Sequence, residues 1–199
     1  MIDLRQGDCL EIMKDIPDKS IDWIITDPPY GINIANWDKK LKEKYFQEMF
    51  RISKNQIIFG YNYYSDILKP IEGFIVWYKQ PFLKTQSECE LIWTNLKIKP
   101  KVFHYRYAGN CEGYPNCLRV NYNKKSQHPT EKPVELMNYL VKTYTKEGDT
   151  ILDCFMGSGT TGIACINTNR NFIGIELDEK YFNVAKERIL THQCEDKGE

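Results

Sequence analysis

The 199-residue sequence lacks an excess of either charge, a metal-binding spacing of cysteine and histidine, and any long apolar run. Lys plus Arg equals Asp plus Glu, at 27 each, so net charge alone indicates no polyanionic partner. None of the seven cysteines forms a CxxC pair, and only three histidines are present. These spacings predict no metal site. No run approaches the roughly 20 apolar residues that a membrane-spanning helix needs, so we expect no membrane partner.

The cysteines also bear on location. Cys111 and Cys117 could pair, but the odd total and the absence of a recognisable signal peptide favour reduced thiols. We therefore expect a cytoplasmic protein of a microbe or its virus. The length suits one substantial domain, residues 1–199, and no internal repeat or low-complexity segment occurs.

Short apolar runs rich in Ile, Val and aromatics alternate with helical patterns. The runs predict strands buried on both faces, at 21–26, 56–60, 73–78, 89–94, 150–155 and 171–177. Apolar residues at helical spacing predict helices at 39–53, 133–145 and 178–190. This alternation is typical of an α/β fold with a mostly parallel sheet.

The segment from about 82 to 127 interrupts that alternation and is locally basic. It mixes basic, aromatic and turn residues without helical periodicity, so we interpret it as an insertion on the α/β scaffold. Its acids are Glu88, Glu90 and Glu112, against eight basic residues: Lys84, Lys97, Lys99, Lys101, Arg106, Arg119, Lys124 and Lys125. Such a segment is typical either of a phosphate-contacting surface or of an ordinary solvated face.

A glycine-rich loop, DCFMGSGTTG, occupies residues 153–162. It follows a predicted strand, satisfies GxGxxG, and precedes a second strand that carries Glu176. This pattern predicts a nucleotide-type site, in which the acid takes the ribose hydroxyls. NAD, FAD and S-adenosylmethionine enzymes share such loops. Asp153 favours the last, because a carboxylate repels a pyrophosphate and attracts an amino-acid ammonium; the alternative is that Asp153 only caps the turn.

A second motif, TDPPYGI at 26–32, ends an apolar strand with two prolines and places Asp27 at its tip. The rest of the sheet lies upstream of the glycine loop, the reverse of the usual order. We therefore expect a circularly permuted fold. Ligands of open α/β sheets bind at the carboxyl ends of the strands, so both motifs are predicted to share one crevice.

With DPPY first, HPTEKP at 128–133 next and DCFMGSGTT last, the chain resembles the amino-methylating DNA methyltransferases of the permuted β type. These enzymes methylate the N6 amine of adenine or the N4 amine of cytosine. The resemblance implies a Rossmann-like S-adenosylmethionine-dependent methyltransferase fold, circularly permuted, with helices on both faces of the sheet. It also implies that the insertion at about 82–127 recognises the target. DPPY favours adenine by family habit, since cytosine-N4 enzymes more often show SPPY.

The resemblance implies specific roles for individual residues. On the catalytic side, Asp27 and the Pro28 carbonyl would accept the amine hydrogens, Pro29 would stiffen the turn, and Tyr30 would stack on the base. Glu176 would take the ribose hydroxyls of S-adenosyl-L-methionine. The remaining cofactor-binding candidates are Asp8, Cys9, Asp27, Thr130, Lys132, Pro133, Asp153, Phe155, Gly157, Ser158, Gly159, Thr160 and Thr161.

The implied partner is a DNA duplex with its target base flipped out, because the amine is otherwise buried in the stack. Trp37 is a second aromatic candidate beside Tyr30, although a structural role is at least as good an interpretation. Lysines of the insertion would contact phosphates, and Arg106 or Arg119 could contact a guanine edge. We expect a monomer or homodimer, with a possible cognate restriction enzyme.

Other functions remain open at this point. Cytosine N4 is the nearest alternative, followed by RNA or protein amine methylation, whose enzymes usually place the glycine loop before xPPY. A non-catalytic nucleic-acid-binding subunit is disfavoured by the intact Asp27 and glycine loop, and an NAD-dependent oxidoreductase by Asp153. Cytosine-C5 methylation requires a Pro-Cys nucleophile, and no Pro-Cys dipeptide occurs.

Overall fold

The computed structural model describes residues 1–69, 72–80, 87–108, 111–114, 117–120 and 131–196. Its strands are β1 Ile2–Gln6, β2 Ile21–Thr26, β3 Ser53–Phe59, β4 Ile75–Tyr78, β5 Cys89–Thr94, β6 Lys101–His104, β7 Arg106–Ala108, β8 Cys111–Tyr114, β9 Cys117–Val120, β10 Thr150–Asp153 and β11 Asn171–Glu176. Its helices are α1 Cys9–Met13, α2 Glu43–Ile52, α3 Val134–Tyr144, α4 Thr160–Ile166 and α5 Glu179–Asp196, with a 3₁₀ turn at Tyr61–Tyr63.

Eight strands form one sheet in the order β1-β11-β10-β2-β3-β5-β4-β6. All neighbours pair in parallel except β5, which runs antiparallel to both β3 and β4. The predicted α/β fold with a mostly parallel sheet is therefore confirmed. The permuted order is also visible, because the strand that begins the chain pairs with β11, the last strand in the sequence.

Helices cover both faces of this sheet, and alternate residues of a strand enter different cores. In β2, Trp23 and Ile25 pack in the core under α3, α4 and α5. Ile24, between them, packs in the core under α1 and α2. Burial on both faces explains why β2 has an uninterrupted apolar sequence rather than an alternating one. No helix within the described ranges is long and apolar enough to cross a membrane.

The insertion expected at about 82–127 is only partly separate from the main sheet. β5 and β6 fall inside that range but belong to the eight-stranded sheet, and only β7–β9 form a sheet of their own. A strand was predicted at 89–94, but the pairing of β5 with β3 and β4 depends on strands distant in sequence. The short strand β6, KVFH, carries too little apolar signal to reveal its pairing with β4. Strand β1 was not anticipated either; it is an edge strand with a half-buried side-chain pattern.

Candidate active site at the carboxyl edge of the sheet

A cavity of about 1200 Å³, hereafter the edge cavity, lies along the carboxyl ends of the parallel strands. Because these strands run in one direction, the residues that follow them meet at the same edge. Asp8 follows β1, Glu176 ends β11, Asp153 ends β10, Asp27 follows β2 and Gly60 follows β3; all five line the cavity. The two sequence motifs therefore do share one crevice, as predicted.

Asp27 makes a charged contact at the centre of the edge cavity. Its Oδ1 accepts a hydrogen bond from the Tyr30 hydroxyl, and its Oδ2 accepts one from Lys132 Nζ. Burial raises the pKa of Asp27; the Lys132 ammonium opposes that rise, while the nearby Glu90 carboxylate adds to it. Pro28 and Pro29 line the same wall, and the Tyr64 hydroxyl donates to the Pro29 carbonyl.

The ring of Tyr30 is held from two sides. It stacks on Tyr63 with centroids 4.6 Å apart and planes 14° from parallel. On another side it lies against Gly60, where a Cβ atom would approach the ring to 2.2 Å. Gly60 also has a φ of +75°, which favours glycine. In this arrangement Tyr30 contacts Tyr63 and Asp27 directly, and its predicted contact with a base remains a prediction.

Three charged residues extend from Asp27 in a row, of which Lys132 is buried and Glu90 and Lys79 are half-buried. Lys132 Nζ lies 3.5 Å from Glu90 Oε2, and Lys79 Nζ lies 3.1 Å from Glu90 Oε1. Lys132, a predicted cofactor-binding residue, contacts Asp27 and Glu90. Glu90 and Lys79 were missed as site residues. The available signal was a carboxylate inside the otherwise apolar run CELIWT, but its position depends on the antiparallel direction of β5.

Asp153 is buried and hydrogen-bonded through both oxygens. Oδ1 accepts from Thr26 Oγ1 at 2.6 Å and from the Phe155 amide at 3.1 Å, and Oδ2 accepts from Thr161 Oγ1 at 2.6 Å. Burial raises the pKa of Asp153 to about 6, against the lowering effect of these bonds. Asp153 thus joins β10 to β2 and to α4, as a turn-capping residue would. It also lines the edge cavity, as a cofactor-binding residue would.

The acids of the two outer strands lie farther along the cavity. Glu176 Oε2 accepts from the Gly157 amide and Oε1 from the Asp178 amide, both at 2.9 Å. Burial raises the pKa of Glu176 despite these bonds. Asp8 caps α1 through Oδ1, which accepts from the Leu10 amide at 2.8 Å. Each carboxylate therefore lies in the cavity wall and keeps lone pairs for a ligand.

Most of the other predicted cofactor residues line the edge cavity, namely Cys9, Lys132, Phe155, Gly157, Ser158, Thr160 and Thr161. Two predicted residues have other positions. Gly159 caps α4 at a φ of +80°, and a Cβ there would lie 2.8 Å from Ile189. Pro133 is the N-cap of α3 and lies outside the cavity wall. Thr130 lies outside the described residues.

The loop after DPPY bounds one side of the cavity. Asp38 accepts hydrogen bonds from the amides of Gly31 and Ile32, each at 2.8 Å, and from Ile34 at 3.3 Å. Trp37 then contacts Tyr181 edge to face, with centroids 6.5 Å apart. Both aromatics line the cavity, so the loop contacts α5 on the far side of it. Trp37 therefore has a structural contact, which agrees with the more conservative interpretation.

The lysines of segment 82–127 that the structure describes lie at the amino edge of the sheet, opposite the edge cavity. Lys97 and Lys99 lie between β5 and β6, and Lys101 pairs with Ile75 at the start of β4. These lysines are exposed at the amino edge, roughly 13–20 Å from the cavity by strand length. In contrast, Tyr107 of β7 lines the cavity, and its hydroxyl donates to Glu131 at 3.2 Å.

Of the two candidate base-contacting arginines, only Arg106 has a side chain that the structure describes. Arg106 is only 9% exposed, so its guanidinium is not presented to a groove. The structure does not describe the Arg119 side chain. It also does not describe residues 121–130, which include Tyr122, Lys124 and Lys125. Lys84 is also outside it.

Comparisons with known proteins point to one family. The N6/N4 methyltransferase model, described as DNA methylase, matches residues 49–187. The type II methyltransferase M.HpaI of Haemophilus parainfluenzae is 30% identical over 92% of this chain and 72% of its own length. The type II methyltransferase M2.MboI of Moraxella bovis is 28% identical over 93% of this chain and 86% of its own length.

Solved structures give a consistent result. A crystal structure of M1.HpyAVI in complex with S-adenosylmethionine has a TM-score of 0.67 and 31% identity, covering 94% of this chain and all of that chain. The cytosine-N4-specific PvuII DNA methyltransferase also has a TM-score of 0.67, over 100% of this chain and 93% of that chain. Its 16% identity supports a shared fold and nothing finer.

Proposed function

The chain belongs to the DNA methylase family of N6 and N4 amino-methyltransferases, and we propose that it transfers a methyl group from S-adenosyl-L-methionine to the N6 amine of adenine in DNA. The observation that carries this proposal is the position of Asp27 beside the glycine loop. β2 and β10 are neighbours in the sheet, and Thr26 Oγ1 bonds to Asp153 across them at 2.6 Å. An amine held by Asp27 therefore lies beside any ligand held by the loop.

The residues of the edge cavity fit S-adenosyl-L-methionine. The proposed contacts are Glu176 with the ribose hydroxyls, Asp8 with the adenine, and the Asp153–Thr161 loop with the amino-acid part. Glu176 accepts backbone hydrogen bonds through both oxygens and Asp8 accepts one through Oδ1, so their orientation is fixed before a ligand arrives. Gly157 lies at a φ of +52°, which lets the backbone approach a ligand closely. When bound, the cofactor supplies an electrophilic methyl group on a sulfonium.

Asp27 and the Pro28 carbonyl are proposed to receive the substrate amine. The lone pair of the amine nitrogen is delocalised into the base. When Asp27 and the Pro28 carbonyl accept both N–H hydrogens, they favour a pyramidal nitrogen whose lone pair is available. Methyl transfer forms the N–C bond as the S–C bond breaks, and leaves a positive charge on nitrogen. Asp27 offsets that charge and takes up the released proton for transfer to solvent. Positioning of the two reactants supplies much of the remaining acceleration.

The DNA is proposed to be a duplex whose target base is flipped into the edge cavity beside Tyr30. The sheet β7–β9, which adjoins the cavity through Tyr107, is the candidate for target recognition within segment 82–127. A monomer or homodimer in a microbial or viral cytoplasm, with a possible cognate restriction enzyme, completes the proposal. Adenine is favoured over cytosine by the aspartate of DPPY; cytosine N4 is the second candidate, because the same amine geometry serves both.

The test incubates the purified protein with methyl-labelled S-adenosyl-L-methionine and separate pools of unmodified duplex DNA, RNA and protein. Nucleoside analysis follows by mass spectrometry. We expect label in N6-methyldeoxyadenosine from the DNA pool. Label in N4-methyldeoxycytidine would replace adenine by cytosine. Label in RNA or protein alone, or cofactor binding with no transfer to any pool, would contradict the DNA proposal.

A further inference from the structure

The row of partly buried charges beside the transfer site has alternating signs. It runs Asp27, Lys132, Glu90 and Lys79, and its members come from four parts of the chain. Their side chains are 22%, 10%, 20% and 19% exposed, respectively. Lys132 Nζ touches Asp27 and lies 3.5 Å from Glu90, and Lys79 Nζ lies 3.1 Å from the other oxygen of Glu90.

Such a row is not explained by stability alone. Burying several charges is costly, and apolar residues of similar volume often serve a fold equally well. The main sheet already has apolar cores on both faces. Lys132 in addition lies 5.3 Å from the centre of the Phe59 ring, a position that an apolar side chain could also occupy. The placement of the charges next to Asp27 suggests a role in the reaction.

In the proposed reaction, Asp27 must accept a hydrogen bond from the substrate amine beside its contacts with Tyr30 and Lys132. Each carboxylate oxygen can accept more than one hydrogen bond, but an ammonium held at Asp27 repels the positive charge that develops on the amine nitrogen, so transfer is favoured when Lys132 moves away. Among the described residues, the Tyr30 hydroxyl donates its hydrogen bond to Asp27. Lys132 has a second carboxylate within 3.5 Å, so it can leave Asp27 without losing an ion pair.

We propose that Glu90 is a positioning residue that takes Lys132 from Asp27 when the substrate amine arrives and returns it after product release. Lys79 holds the Glu90 carboxylate in place for this exchange. Glu90 and Lys79 both line the edge cavity, and in this role Glu90 acts through Lys132. All protons on the Lys132 ammonium stay there, and no covalent bond changes. This inference rests on the proposed function.

The exchange has an electrostatic signature at Asp27. The ionisable groups that face Asp27 are Tyr30, Lys132, Glu90 with Lys79 behind it, Asp153 and Tyr64. Removing the negative charge of Glu90 favours the ionised form of Asp27 and lowers its pKa. Removing the positive charge of Lys132 has the opposite effect. The two changes should therefore displace the titration of Asp27 in opposite directions.

The first experiment needs no activity. The side-chain carboxyl carbon of Asp27, identified by its absence in Asp27→Asn, is titrated by NMR in the full-length protein. We expect Glu90→Gln to move the titration to lower pH and Lys132→Met to move it to higher pH. Glu88→Gln is the matched control, since this exposed carboxylate lies two residues from Glu90; it should change nothing. Equal titrations in wild type and Glu90→Gln would overturn the proposal.

The second experiment measures single-turnover methylation and cofactor binding on the same variants. In Glu90→Gln, Lys132 loses its second carboxylate, so it stays at Asp27 and opposes the charge that develops on the amine. We expect the single-turnover rate to fall by up to about tenfold. Cofactor affinity should stay within about twofold of wild type, and the acid limb of the pH–rate profile should move to lower pH. A rate equal to wild type, or a loss that follows cofactor affinity, would refute the role.

Glu90→Asp provides a second variant if Glu90→Gln does not fold. It keeps the charge but shortens the reach, so the rate should fall while the acid limb stays in place; a rate equal to that of wild type would contradict the proposal. Failure of the proposed function is distinguishable, because wild type would then methylate no DNA while the NMR titration would still report the link between Glu90 and Asp27.

Discussion

At the scale of single residues, Asp27 has the clearest role to test. The substitution Asp27→Asn keeps the shape of the side chain but removes its charge. The amide NH2 group cannot accept a hydrogen bond, so only the amide oxygen remains as an acceptor. We expect cofactor affinity to change little, because the cofactor-binding candidates Glu176, Asp8 and the glycine loop remain in place. The methylation rate should fall by about 10²–10³-fold, the effect of losing one electrostatic stabiliser in other enzymes.

The measurement is a single-turnover rate on unmodified DNA beside a cofactor-binding isotherm by calorimetry. The control is Asp66→Asn, an exposed carboxylate outside the edge cavity, which should behave as wild type. If Asp27→Asn methylates at the wild-type rate, the assignment of Asp27 is wrong.

Asp153 allows a test that separates cofactor binding from turn capping. Burial raises the pKa of Asp153 to about 6 from 3.8. Because the folded-state pKa is above the unfolded value, its contribution to stability is present below about pH 4 and is lost as the pH rises through about 6. One pKa unit corresponds to about 1.4 kcal/mol, so about 3 kcal/mol is lost over this range. Asp153→Asn should lack this loss.

Urea unfolding of wild type and Asp153→Asn at about pH 4 and about pH 7 measures this difference. Cofactor affinity then discriminates between the two roles. If Asp153 faces the cofactor's ammonium, wild-type affinity should weaken as the pH falls through about 6, and the pH dependence should be smaller in Asp153→Asn. Glu176, whose pKa is also raised, contributes equally to both proteins. Identical pH dependence in the two would assign Asp153 to capping alone.

At the scale of elements, the direction of β5 explains most of what the sequence could not predict. Strands β2, β10 and β11 were predicted within two residues because they are uninterrupted apolar runs between turn residues. The direction of β5 depends on pairing with β3 and β4, which a local pattern does not contain. That direction places Glu90 at the active edge and Lys97 and Lys99 at the opposite one.

The same direction predicts that the exposed lysines between β5 and β6 do not contact DNA near the target. The double substitution Lys97→Glu and Lys99→Glu adds four negative charge units to the chain. If these residues faced the DNA, affinity and its salt dependence should both decrease. We expect instead that the Michaelis constant for DNA at about 0.15 M salt changes by less than about threefold, because longer-range effects are screened.

Fluorescence anisotropy with a labelled duplex at several salt concentrations measures the DNA affinity and its dependence on salt directly. The matched comparison is Lys142→Glu with Lys146→Glu, two exposed lysines on and after α3, which carry the same charge change elsewhere. A loss of affinity confined to the first pair would place DNA at the amino edge and contradict the orientation inferred here.

At the scale of the whole molecule, the positions of the motifs depend on strand pairing and not on their order along the chain. The glycine loop and DPPY are about 125 residues apart in sequence, yet β10 and β2 are neighbours in the sheet. The permuted order could be predicted because most of the predicted strands precede the glycine loop in the sequence. The pairing of β1 with β11 could not be predicted, because β1 is a short edge strand with few apolar residues.

A circular permutant tests this independence of order. A Gly/Ser linker joins residue 199 to residue 1, and the chain is opened before Glu147, in an exposed turn between α3 and β10. The new chain carries the glycine loop before DPPY, the conventional order. α5 is 18 residues long, about 27 Å, and packs against β1 and β11, so it ends on the side where β1 begins. We expect the permutant to fold and bind S-adenosyl-L-methionine within about tenfold of wild type, since loop closure by a short linker costs little.

A permutant opened between Ile24 and Ile25, inside the buried strand β2, is the control and should not fold. Circular dichroism and calorimetry would measure both; an unfolded first permutant would show that chain order itself, and not strand pairing alone, determines this fold.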